Sequence, residues 1–377
     1  MQLQALKIQL ISGRSLQNDV PFLRRALLPS MMSAGLLALG LSAILGCGSG
    51  MGGSAPISQN IAVPTASAKG PQLGYLWLAS DHSLRPILGV AGASQIGQAV
   101  APAGVYSGAV SSASANLAIL QGTDGSFDLM TLPSGAPASL GLTLPSGAMM
   151  RLSPTAAAAL LYTPGAKSAS LVTGLLTASQ TPVQIQSIAV AGPITDSAVS
   201  DTGTASFEYA QGSSVAVTVV ALNGRAVPLT SIKAGGGLSF LPGRDDLLFA
   251  DAVANSLTLI RSTTSAPSTT LLQTSGLLNA PSAVGVSNSG RYVLVANSGS
   301  QSTVRIDMTT LSSTQVACSC KPTEAAVLAD DGAFRVTNVA TGPNWIVDAA
   351  AATPRTLFIP ALPPAARSTL VASVVVP

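Results

Sequence analysis

Apolar and polar positions recur in a fixed order from about residue 71 to the end of the chain. Each unit holds a small or polar turn, an apolar run, a second turn and an alternating run. The first turns begin near Ser112, Ser153, Ser200, Leu241, Ser287 and Ala329, with successive spacings of 41, 47, 41, 46 and 42 residues. The clearest unit runs from Pro281 to Cys318. Pro281 to Val286 is a short apolar run, suited to an inner strand. Ser287-Asn288-Ser289-Gly290 is a turn whose glycine supplies a positive-φ position. Tyr292 to Asn297 is apolar on both faces, as a strand buried between two sheets must be. Thr303 to Asp307 alternates, with Val304 and Ile306 on one face. Ser313 to Cys318 completes four strands. Leu247 to Ala250 with Leu257 and Leu259, Ala157 to Tyr162 with Ser170 to Thr173, and Asn116 to Leu120 with Phe127 and Leu129 follow the same plan. Long α-helices are not expected after residue 47, because the alanine runs 156–159 and 349–352 are short and have proline nearby.

A period of 40–45 residues with four short strands per unit is the signature of a propeller blade. Gly290 to Asp307, GRYVLVANSGSQSTVRID, resembles the repeat of YVTN-type β-propellers, relatives of the WD40 class. YVLVAN stands where that family has its namesake segment. No Trp-Asp or Gly-His pair supports true WD40 repeats. The expected fold is all-β: a β-propeller of seven blades, each a four-stranded antiparallel sheet. Six units carry a full set of strands. Gly74 to Ala79 and Leu84 to Leu88 read as two outer strands, and Ser368 to Val376 as an inner strand. Pairing the C-terminal strand with the N-terminal pair would close the ring and remove exposed strand edges. Six blades with loose ends is the alternative.

Upstream the pattern changes. Residues 26–46 carry no charge and are mostly Leu, Ala, Gly, Met and Ser. Arg24 and Arg25 precede them, Ala43-Ile44-Leu45-Gly46-Cys47 closes them, and GSGMGGS follows. This layout resembles a bacterial lipoprotein signal. The resemblance implies cleavage between Gly46 and Cys47, with the Cys47 thiol taking a diacylglyceryl group and the mature chain carrying palmitate-type lipid. The division it implies is a signal peptide at 1–46, a lipidated cysteine and flexible linker at 47–70, and a propeller at 71–377. An uncleaved membrane helix is one alternative, weakened by Pro29, Gly35, Gly40 and Gly46; an ordinary secreted protein is another. Arg24-Arg25-Ala26-Leu27-Leu28 also resembles a twin-arginine export motif. The implied location is the cell envelope, on the periplasmic or outer-membrane side of a Gram-negative bacterium.

Cutting at Cys47 alters the charge balance. The whole chain has 18 Lys and Arg against 15 Asp and Glu, a net +3. Lys7, Arg14, Arg24, Arg25 and Asp19 all precede Cys47, so 14 basic and 14 acidic groups remain. A neutral mature chain gives no electrostatic case for nucleic acid or anionic lipid. Charged residues make up only 9% of the chain, against about 25% in ordinary soluble proteins, so hydroxyls and turns must keep the surface wet. Removing Cys47 from three cysteines leaves Cys318 and Cys320. On a strand, positions i and i+2 lie roughly 6.5–7 Å apart, at the outer edge of disulfide geometry. The exported compartment is oxidising, and both a CxC disulfide and two buried thiols stay open.

Candidate chemistry is sparse. His82, the single histidine, would have to serve any Ser-His-Asp triad, but Asp81-His82-Ser83 reads as a polar turn. One histidine also argues against a His-rich metal site or a haem ligand. Asp124, Asp196, Asp201, Asp245, Asp246, Asp330 and Asp331 read as turn carboxylates, without the spacing of known calcium loops. Gly235-Gly236-Gly237 reads as a tight loop entering an inner strand. Trp77, Trp345, Tyr75, Tyr106, Tyr162 and Tyr209 read as packing between blades. No catalytic, metal or cofactor residues are assigned. The expected function is that of a non-catalytic, lipid-anchored envelope propeller, monomeric, attached to the membrane through lipid on Cys47. It would bind a protein or small molecule on one face, with no nucleic-acid partner. Two alternatives are an envelope hydrolase, lactonase-like, with a carboxylate-bound metal at the ring centre, and a passive surface or assembly component.

Overall fold

A computed structural model describes residues 70–362 apart from 102–103, 275 and 340–341. Seven antiparallel sheets follow one another along the chain. Blade 1 has three strands, Gln72–Leu78, Ser83–Val90 and Ala93–Ile96. Blade 2 runs Tyr106–Ser112, Leu117–Gly122, Ser126–Thr131 and Ala138–Thr143. Blade 3 is Met149–Leu152, Ala158–Tyr162, Ser168–Thr173 and Gln184–Ala189. Blade 4 is Ile194–Val199, Ala205–Gln211, Ser214–Val220 and Ala226–Ile232, and blade 5 is Gly235–Phe240, Leu247–Asp251, Ser256–Arg261 and Ser268–Gln273. Blade 6 is Pro281–Val286, Tyr292–Asn297, Ser302–Asp307 and Ser312–Ala317, and blade 7 is Ala326–Val327, Ala333–Arg335, Asn344–Asp348 and Arg355–Ile359. In blades 2 to 7 each strand pairs with the next, so every blade is a meander from the centre outward. This is a seven-bladed β-propeller.

The apolar runs explain why the sheets assemble. Buried apolar side chains form seven clusters, each shared by two neighbouring blades. The second strand of a blade feeds both seams, because its side chains alternate between faces. In blade 3, Leu160 packs toward blade 4 and Leu161 toward blade 2. In blade 6, Val293 packs toward blade 5 and Leu294 toward blade 7. Each fully buried aliphatic side chain contributes roughly 1.5–3 kcal/mol relative to exposure. A run apolar on both faces is therefore what a strand between two seams requires.

The turn serines recur for a second reason. Ser153, Ser200 and Ser287 follow the inner strands of blades 3, 4 and 6 and are buried. Each Oγ accepts a backbone N–H from the next strand: Ala158 at 3.1 Å, Thr204 at 3.0 Å and Tyr292 at 3.1 Å. The aspartates beside them join neighbouring blades. Asp201 of blade 4 accepts the Thr155 N–H of blade 3 at 2.9 Å and the Gly243 N–H of blade 5 at 2.7 Å. Asp245 of blade 5 accepts the Ser200 and Thr202 hydroxyls of blade 4 at 2.7 and 2.6 Å. Asp331 of blade 7 accepts the Ser289 N–H of blade 6 at 2.6 Å.

Closure of the ring uses the first and last blades directly. The Ala329 N–H of blade 7 donates to the Leu73 carbonyl of blade 1 at 2.6 Å. Arg335 of blade 7 donates to the Tyr75 carbonyl at 3.0 Å. Leu76 and Ile87 share a cluster with Ile346 and Ile359. The inner strand expected at Ser368 to Val376 lies outside the described residues.

Three local expectations need correction. Blade 1 has a third described strand, Ala93–Ile96, beyond the two expected from its apolar runs. Asp196 is not in a turn but in the inner strand of blade 4. Gly235 to Gly237 begin the inner strand of blade 5 and are not a loop. Their reason is close approach. A Cβ on Gly237, where φ is +108°, would lie 2.8 Å from the Ala283 Cα in blade 6, and one on Gly235 would overlap the Glu208 carboxylate of blade 4.

Candidate functional site

Residues from all seven blades line a central cavity of about 570 Å³. The wall is mostly small or apolar, including Gly108, Ala109, Ala198, Gly237, Ser282 and Ala283. Against that wall stand four charged side chains: Arg151 of blade 3, Asp196 of blade 4, and Glu324 and Arg335 of blade 7.

The four groups form two ion pairs of different character. The Arg335 guanidinium grips Glu324 with two bonds, Nε to Oε1 at 2.6 Å and Nη2 to Oε2 at 3.3 Å. Its Nη1 is committed to the Tyr75 carbonyl. Arg151 makes a single bond, Nη2 to Asp196 Oδ1 at 3.0 Å. The Arg151 side chain remains 40% exposed and that of Asp196 25%. Ser197 N–H donates to the same Oδ1 at 2.8 Å. Burial works against the charge of Arg151, but Asp196, Tyr162 and Glu324 outweigh it and hold its pKa above the usual guanidinium value.

A further acid stands behind this wall. Glu208 lies opposite Asp196 in the blade 4 ladder and is 2% exposed. Its Oε1 has no hydrogen-bond partner. Burial, then the negative charges of Asp196 and Asp251, push its pKa up to about 8.

The residues singled out from sequence distribute differently. His82 is exposed in the turn between two blade 1 strands, edge-on to Trp77 with ring centroids 6.3 Å apart. Ser83 Oγ donates to Asp81 at 2.6 Å, and Arg85 donates to that same carboxylate, so no triad forms around the imidazole. Cys318 and Cys320 are joined as a disulfide with Cα atoms 5.0 Å apart. That spacing is shorter than an extended strand gives, because both residues lie past the end of the Ser312–Ala317 strand. Gly46 and Cys47 lie outside the described residues. Asp124, Asp201, Asp245, Asp246 and Asp331 serve turns and seams: Asp124 bonds Ser126, and Asp246 accepts the Ser262 N–H at 2.9 Å. Tyr75, Tyr106, Tyr162 and Tyr209 are buried between blades, and Trp77 and Trp345 pack half-buried against the seams of blades 1 and 2 and of blades 6 and 7; Trp77 also reaches the cavity wall. Among the described residues, no three metal-ligating side chains come together.

The charged cavity groups were not chosen from sequence, apart from Asp196 in a different role. One signal was present: with so few charges, a polar residue inside a short inner-strand run is unusual. Met149-Met150-Arg151-Leu152 carries that signal.

No family model matches the chain, and no curated protein matches it. Solved structures do match. A functionally unknown protein from Desulfotomaculum acetoxidans DSM 771 superposes with a TM-score of 0.54 at 12% identity, covering 78% of this chain and 100% of that one. Citrobacter koseri AztD gives 0.53 at 15% identity, covering 78% of this chain and 83% of that one. Its apo structure gives 0.53 and 15% as well, with 84% of that chain covered. At such identities the likeness is one of fold alone.

Proposed function

We propose that this chain is a lipid-anchored β-propeller of the bacterial cell envelope that binds a partner through its central cavity and performs no chemistry of its own. The observation that carries the binding reading is the presence of two ion pairs in a cavity otherwise lined by uncharged side chains. In a chain with only 9% charged residues, four charged side chains stand where a ligand could reach them. Sites of this kind are concave, with a few placed polar groups that fix orientation. The anchor rests on the Arg24-Arg25, apolar-run and Gly46-Cys47 pattern, and the YVTN-type relationship on Gly290 to Asp307.

Mass spectrometry of the mature N-terminus tests the anchor. The expected result is a chain beginning at a lipid-modified Cys47. An unmodified Cys47, or a retained 26–46 segment, overturns it. Cys47→Ala should move the protein out of the membrane fraction.

A further inference from the structure

Arg151 has spare capacity that Arg335 lacks. A guanidinium offers five N–H donors in a planar fork. Arg335 uses its fork on Glu324 and the Tyr75 carbonyl, while Arg151 spends one bond, on Asp196. The remaining Arg151 donors face a cavity in which that side chain is 40% exposed. Such a fork matches a carboxylate bidentately. The acceptors have spare capacity too. Both bonds to Asp196 fall on Oδ1, so among the described residues Oδ2 has no partner. Glu324 is 26% exposed and keeps lone pairs beyond the two that Arg335 takes.

The signs narrow the ligand further. Two guanidiniums and two carboxylates make the cavity neutral. A ligand with one charge would leave that charge unbalanced among the paired groups of a partly closed cavity, and uncompensated charge becomes more costly as it is buried. A ligand carrying both signs keeps every charge paired. Trp77, Val110, Met150 and Leu238 supply apolar wall for a side chain. The volume of about 570 Å³ falls within the roughly 300–1,000 Å³ of small-molecule sites.

We propose that the central cavity binds a zwitterionic α-amino carboxylate, a free amino acid or short peptide, with its carboxylate on Arg151 and its ammonium between Asp196 and Glu324. The proposal rests on the reading of the cavity as the binding site and adds the ligand class.

Isothermal titration calorimetry on the purified mature protein tests it with three probes: Ala-Ala-Ala, its N-acetyl form and its C-terminal amide. The free peptide is expected to saturate one site, and each cap to weaken it about tenfold or more, roughly 1.4 kcal/mol. The neutral pair Arg151→Met with Asp196→Asn should abolish binding. Should that pair not fold, Glu324→Gln is expected to weaken the free peptide but not the N-acetyl form. Equal binding of free and capped peptides that still depends on Arg151 overturns the ligand class and leaves the cavity reading standing. Binding unchanged in every cavity variant overturns both. Failure of all three peptides to bind at millimolar concentration overturns the ligand class.

Discussion

Glu208 is an acid placed where an acid is costly. It is 2% exposed with an unpartnered Oε1, and the groups that face it are also acids. Asp196 lies across the ladder and is engaged by Arg151. Asp251, of blade 5, accepts N–H bonds from Lys233, Val253 and Ala254; these outweigh its burial and keep it below the usual carboxylate range. Glu208 therefore holds its proton up to about pH 8 in the fold, against 4.5 as the ordinary value. The unfolded chain releases that proton near 4.5 and the folded chain does not. Between these values the unfolded state binds fewer protons, so stability falls as pH rises. Glu208→Gln keeps the shape and removes the titration. Urea unfolding of both proteins should show the wild type losing ground to Glu208→Gln by about 1.4 kcal/mol per pH unit across that window. A constant difference between the two proteins would refute this account of Glu208.

At the scale of turns and strands, the distinction is between carboxylates that serve one blade and those that serve several. Asp201 bonds N–H groups in blades 3 and 5; Asp124 bonds only Ser126 of its own turn. Asp201→Ala removes two inter-blade hydrogen bonds whose donors water can reach, and should cost about 1 kcal/mol. Asp124→Ala, in an exposed turn, should cost less than half as much, with thermal unfolding as the readout. These elements also show what could be read in advance. Six first turns were legible because a small residue, a positive-φ glycine or an Asp-Asp pair interrupts apolar runs at nearly constant intervals. The third strand of blade 1 was not: Ala93-Ser94-Gln95-Ile96 has no apolar run, because its side chains are exposed or half-buried at the rim. Asp196 misled because it follows Pro193 and precedes Ser197, a polar cluster that looks like a turn. Its place on the cavity wall follows from strand pairing with residues 205–209, a relation the local pattern does not carry. Likewise, the triple glycine looks like a loop until Glu208 and Ala283 are seen against it.

For the molecule as a whole, the seam between blades 7 and 1 is where a linear chain becomes a ring. Arg335 is central to it, tying Glu324 and the Tyr75 carbonyl together with its side chain 12% exposed. Arg335→Met should destabilise by about 2 kcal/mol, between the values for exposed and fully buried pairs. Hydrogen exchange should quicken first at blade 1 amides. Arg244→Met is the control, since that side chain is 68% exposed and 4.0 Å from Asp246; it should change stability by less than about 1 kcal/mol. Equal effects of the two substitutions would count against Arg335 as the closing contact. The expected pairing of Ser368 to Val376 with blade 1 can be tested by cross-linking cysteines placed near Trp77 and Val371.

The stitches between blades have one more consequence, for the medium the protein can tolerate. Those made by Asp201, Asp245 and Asp331 run from a carboxylate to a backbone N–H or a hydroxyl, at 2.6–2.9 Å for the bonds given above, unlike the Arg151–Asp196 ion pair between blades 3 and 4. Dissolved ions weaken attraction between separated charges over a screening length of about 10 Å at 0.1 M, shrinking to about 3 Å at 1 M. Bonds this short, to neutral donors, lie inside even the smaller length. The unfolding temperature should therefore change little from dilute to roughly molar sodium chloride. A steep fall with ionic strength would mean that ion pairs, not these neutral stitches, hold the seams. Brackish and fresh surroundings would leave the ring equally closed.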